Sequence, residues 1–117
     1  MNRDKLYLSH ILVLECIGRI EIYSMDGREE FMKNTMVQDA ILRNLQILAE
    51  STTHLSDSLL LHQPQIEWKR IRGFRNIIVH DYLGIDLERV WPIIVHELPV
   101  LKDVVKDMLE GMEKGSE

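Results

Sequence analysis

The chain has 117 residues, 45% of them apolar, which suits one hydrophobic core and leaves little room for a second domain. Its one cysteine, Cys16, excludes an internal disulfide and a metal site built on thiolates, and fits a reducing compartment. A net charge of −5 argues against a protein that coats nucleic acid, and no apolar run is long enough to cross a bilayer, so no membrane contact and a cytoplasmic location are expected.

The opening Met1-Asn2-Arg3-Asp4-Lys5 alternates charges, unlike a signal peptide. Over residues 4–25, Leu6, Val13, Ile17 and Ile20 recur at helical spacing, with Glu15 and Arg19 opposite. Leu8, Leu12 and Ile22 fall toward that polar side, which points to a subunit contact. Met25-Asp26-Gly27-Arg28 ends this helix, with Gly27 as the left-handed stop. A second helix is expected over residues 30–55, with Ile41, Leu45, Leu48, Thr52 and Leu55 on one face and Asp39, Arg43 and Glu50 on the other. Residues 56–65 are softer and leave room for a short helical turn at Leu59-Leu60-Leu61, before Pro64. A third helix is expected over residues 65–79, with Pro64 just before or within its first turn. It carries a basic cluster and runs into a loop, His80-Asp81-Tyr82-Leu83-Gly84-Ile85. Asp86 is the expected N-cap of the last helix, whose stripe is Val90, Ile94, Leu98, Leu101, Val105 and Met108. Pro92 fits the first turns of that helix, whereas Pro99 should kink it. No strand, repeat or linker is evident. The expected fold is all-α, an up-and-down bundle of four or five helices, forming a single domain over residues 1–112 with a frayed tail at 113–117.

Charge is unevenly spread. From Glu67 to Tyr82 four basic residues (Lys69, Arg70, Arg72, Arg75) face two acidic ones (Glu67, Asp81), a local charge of +2 that leaves −7 for the remainder. A polyanion should find this stretch, so Lys69, Arg70 and Arg72 are candidate RNA-phosphate contacts, the alternative being a solvated face. Within it lies Arg75-Asn76-Ile77-Ile78-Val79-His80-Asp81-Tyr82. A histidine near its neutral titration can take a proton from a ribose 2′-hydroxyl or return one to the leaving oxygen. An arginine supplies a permanent charge and forked donors to the phosphorane that develops. RNA brings its own nucleophile, so this pair needs neither metal nor cofactor. On a continuous helix a five-residue step is about 500°, which leaves Arg75 and His80 about 140° apart. Either the helix unwinds before His80, or a two-fold axis brings residues of two chains together; the dimer is the simpler solution. The competing structural roles are plain: Arg75 and His80 as cations bonded to the open carbonyls of a helix end, and Tyr82 as a core aromatic with a bonded hydroxyl. His10, His54, His62 and His96 have no ligand-like spacing and suit surface or half-buried positions; Trp68 and Trp91 suit core anchors, and Cys16 an inert buried thiol.

Arg75-Asn76-x-x-x-His80-x-Tyr82 resembles the signature of HepT-like proteins of the HEPN superfamily. The resemblance extends over residues 31–109. Asp39 to Glu50 looks like the family's second helix, Trp68-Lys69-x-x-x-Gly73-Phe74 like its lead-in to the motif, and Asp86-x-x-x-Val90-Trp91 with Leu98-Pro99 like its last helix, where Pro92 is the odder proline. The resemblance implies a homodimeric, metal-independent endoribonuclease with no cofactor, whose Arg and His line a cleft at the dimer interface. Such toxins are paired with a minimal nucleotidyltransferase (MNT) antitoxin that transfers AMP to the motif tyrosine. Carried over, Arg75 would stabilise the transition state, His80 would be the general acid/base, Asn76 would position phosphate or His80, and Tyr82 would accept AMP. Transfer RNA is the substrate the family suggests. Two rivals stand beside this reading: a non-cleaving HEPN subunit that partners or presents substrate to a nucleotidyltransferase, and a helical dimerisation protein without chemistry. The intact Arg–His pair favours the enzyme, and the acidic overall charge favours the partner subunit.

Overall fold

The first helix, α1 (Arg3–Tyr23), forms where the apolar spacing puts it. The computed structural model describes residues 3–54, 63–74 and 86–114, with side chains from residue 9 to residue 112. On α1, Val13, Cys16, Ile17 and Ile20 are fully buried, while Glu15 and Arg19 lie in solvent as an i,i+4 ion pair at 3.8 Å. The helix stops at Tyr23, two residues short of the expected end. The Gly27 N–H then donates to the Ser24 carbonyl at 3.0 Å, and Gly27 takes a φ of 91°, the one left-handed value among the described residues. A side chain there would be strained, which is why glycine makes the turn.

The expected second helix is two helices, α2 (Gly27–Lys33) and α3 (Thr35–Thr52), broken at Asn34. Asn34 is extended (φ −104°, ψ 104°) and its Oδ1 accepts from the Val37 N–H at 3.2 Å, capping α3. Its Nδ2 donates to Glu30 at 2.7 Å, and Gln38 Nε2 donates to the Phe31 carbonyl at 2.8 Å. The break therefore satisfies its own polar groups. A short polar side chain that bonds nearby backbone competes with the helical ladder, and here it wins. Beyond the break, Ile41, Leu45, Leu48 and Thr52 are buried and Asp39, Arg43 and Glu50 exposed, as the stripe requires. Leu55 lies outside the described residues, as does the Leu59-Leu60-Leu61 turn.

After a turn at Pro64 and Gln65, α4 (Trp68–Arg72) begins three residues later than the spacing suggests. It is pinned by buried Trp68, Ile71 and the following Phe74, and Trp68 Nε1 donates to the Gln63 carbonyl at 3.2 Å. The final segment opens with Asp86, whose carboxylate accepts from the Glu88 N–H at 3.1 Å. It continues as α5 (Leu87–Pro92), a π-helical turn (Ile93–Glu97) and α6 (Leu98–Lys114). Where a kink at Pro99 is expected, the preceding turn widens, and the Leu98 N–H bonds the Ile93 carbonyl. Proline has no N–H to return to the carbonyl four residues back and its ring crowds that carbonyl, so a wider turn relieves the conflict. Val90, Ile94, Leu98, Leu101, Val105 and Met108 all remain buried.

Among the described residues the most extensive packing is α1 on α3, followed by α1 on α6. Trp91 stacks obliquely on Phe31 with ring centroids 5.4 Å apart, joining α5 to α2. Outside the core, Lys102 bonds both carboxylate oxygens of Glu21 at 3.1 Å, and Arg28 pairs with Glu88. The buried apolar residues of all these helices form one cluster, and the described residues contain no strand. No described helix is long and apolar enough to cross a membrane.

Candidate functional site

The site is approached through α4, because the chain passes from Phe74 directly into Arg75. Arg75, Asn76, His80 and Tyr82 themselves lie outside the described residues. The three flanking cations are described, and they differ. Lys69 is exposed and has no ion pair among the described residues. Arg70 is committed to a carboxylate: its Nε and Nη2 donate to the two oxygens of Glu97 at 2.6 and 2.8 Å. This fork-to-fork pairing is the strong form of the arginine–carboxylate bond, and Glu97 with it raises the already high pKa of Arg70. Arg72 is half-buried and its Nη2 reaches the Thr52 carbonyl at 3.4 Å, beneath the open end of α3. Of the three sequence-derived RNA-contact candidates, Arg70 and Arg72 each bond a protein group, although Arg70 stays exposed.

Glu97 had no sequence signal as a partner of Arg70. It is 27 positions away, and only the fold brings the two side chains together. Between these elements lies an open cleft of about 390 Å³, lined by Gln65, Glu67, Arg70, His96, Glu97 and the apolar Ile66, Ile71 and Val100. Its charged lining is two carboxylates against one guanidinium, which does not favour a phosphate. His54 and His96 are exposed, whereas His10, expected at the surface or half-buried, is fully buried in α1. His62 lies outside the described residues. Among the described residues no group of three His, Cys, Asp or Glu side chains is placed to hold a metal ion. Trp68 is a buried anchor, and burial pushes the Cys16 thiol above its ordinary range.

Comparison with known proteins places these observations in a lineage. The family model described as "Ribonuclease HepT-like" matches residues 13–108, a span that contains the whole Arg75–Tyr82 motif. A Methanocaldococcus jannaschii protein named "Gamma-glutamylcyclotransferase and putative RNase" is 33% identical over 97% of this chain, which spans about half (51%) of that relative's length. A protein of Caldanaerobacter subterraneus named "Putative RNase" is 32% identical over 94% of this chain and 97% of its own. The Shewanella oneidensis "mRNA nuclease HepT" is 29% identical over 80% of this chain and 90% of its own. No solved structure matches the chain significantly. With most of its length matched by the family model, and a near full-length relative at more than 30% identity, the chain belongs to the HepT-like ribonuclease family.

Proposed function

We propose that the chain is a metal-independent endoribonuclease toxin, acting as a homodimer and held in check by a cognate MNT-type nucleotidyltransferase. The observation that carries this reading is the intact Arg75-Asn76-x-x-x-His80-x-Tyr82 motif inside the matched family span. In the proposed reaction a neutral imidazole of His80 takes the proton of a ribose 2′-hydroxyl as that oxygen attacks the adjacent phosphorus. The P–O5′ bond breaks, and a protonated imidazole returns the proton to the leaving oxygen. The products are a 2′,3′-cyclic phosphate and a free 5′-hydroxyl, with no net consumption of protons. Arg75 stabilises the charge on the phosphorane, and Asn76 positions the phosphate or the imidazole. AMP transferred to Tyr82 would add bulk and negative charge beside this pair and turn RNA away. Elsewhere the surface is acidic, which suits a nuclease that must not hold RNA indiscriminately.

The test is cleavage of labelled total RNA by purified protein in EDTA, wild type against His80→Ala. This substrate offers both transfer RNA, the family expectation, and mRNA, which the Shewanella relative is named for cutting. Wild type should cut and leave cyclic phosphate ends, and His80→Ala should lose activity by about 100-fold or more. Silence from wild-type dimer with Tyr82 unmodified would overturn the nuclease reading and favour the non-cleaving partner subunit.

A further inference from the structure

We propose that Arg70 and Glu97 form a positioning clamp that aims the segment bearing Arg75 and His80, and that Arg70 does not hold RNA. The inference builds on the ribonuclease reading above. α4 has five residues, too few to hold a helical direction without neighbours. Its direction is set from three sides. Trp68, Ile71 and Phe74 enter the core beneath it, Arg72 reaches the end of α3, and Arg70 grips Glu97 on the π-helical turn with two bonds at 2.6 and 2.8 Å. Arg75 follows Phe74 directly in sequence, three residues beyond the end of α4.

The electrostatics agree. A phosphate that recruited Arg70 would have to displace a bidentate carboxylate and approach Glu67 as well, since both acids line the same cleft. Lys69, exposed and without an ion pair among the described residues, faces no such cost. The π-helical turn gives Pro99 a further consequence: it shapes the backbone that presents Glu97.

Three variants test the clamp: Glu97→Gln, Arg70→Lys and the exchange Arg70→Glu/Glu97→Arg. Arg70→Lys keeps the charge and loses the fork, so a clamp should fail where a phosphate contact would survive. We expect kcat for RNA cleavage to fall about 10- to 100-fold in both single variants, with KM within about twofold of wild type, because misplacement near 1 Å costs rates of that order. The exchange should recover part of the loss. Near-normal Arg70→Lys, or a raised KM whose salt dependence drops by about one phosphate contact, would overturn the proposal.

A second readout does not need catalysis. Amide hydrogen exchange over residues 68–74 should quicken in Glu97→Gln while α1 and α3 keep their protection. Unchanged exchange in that segment, or an equal rise everywhere, would sink the clamp. Wild type that cuts no RNA would remove the ribonuclease reading alone, and the exchange pattern would still decide the clamp.

Discussion

Cys16 sits on the inner face of α1 between Val13 and Ile17 and has no exposed surface. Burial raises its pKa first; Arg19 partly offsets this and Glu15 adds to it. A thiol whose folded pKa lies above its unfolded value keeps its proton more tightly when folded. Its contribution to stability is therefore complete below the ordinary thiol range and is lost as pH climbs through the raised value. Denaturant unfolding should accordingly show a steeper stability loss on the alkaline side for wild type than for Cys16→Ala. Alkylation of native protein should be slow and become fast on unfolding. Equal alkaline slopes would mean that the thiol is solvated in the native state. His10 offers a related lesson. His10, Val13, Ile17 and Ile20 are spaced 3, 4 and 3 apart, so the α1 stripe already assigned it to the core. Its polarity concealed what its position said. Glu97 is the opposite case, since no periodicity links it to Arg70 and only tertiary packing could find the pair.

Among the elements, the apolar faces of α1, α3 and the last segment were legible because each buries a stripe of period 3.6, which survives whatever the ends do. Boundaries were less legible, for local reasons. The break at Asn34 depends on one side chain serving as a cap to Val37 and a donor to Glu30 at once. Asn34→Ala should remove both bonds and cost about 1 kcal/mol, read as a lower denaturation midpoint with an unchanged m-value. A merged helix through residue 34 would instead leave stability level and raise helicity, since alanine is the better helix former. The widened turn before Pro99 follows the same logic. The proline announced a disturbance, and the chain absorbs it as a π-helical turn with Ile94 and Leu98 both buried.

At the scale of the whole molecule, α1 packs against α3 and α6, and α4 packs on α3 and leads in sequence into the motif. That motif was read from residue types at a fixed spacing together with the flanking resemblance, and it lies within the span the family model matches. The spacing also makes a geometric demand: Arg75 and His80 diverge by about 140° on a straight helix, so one site must recruit them by unwinding or by symmetry. The proposed homodimer makes a quantitative commitment. Arg75→Ala and His80→Ala proteins should each be inactive alone. Unfolded together and refolded in equal amounts, they should form about half mixed dimers by random pairing. If each site takes its arginine from one protomer and its histidine from the other, a mixed dimer holds one intact site and one doubly altered site. Activity should then return to about a quarter of wild type. If both residues act within one chain, every site keeps one altered residue and mixing restores nothing. The same RNA cleavage measurement reads both outcomes, and the recovered fraction separates a shared site from an unwound helix end.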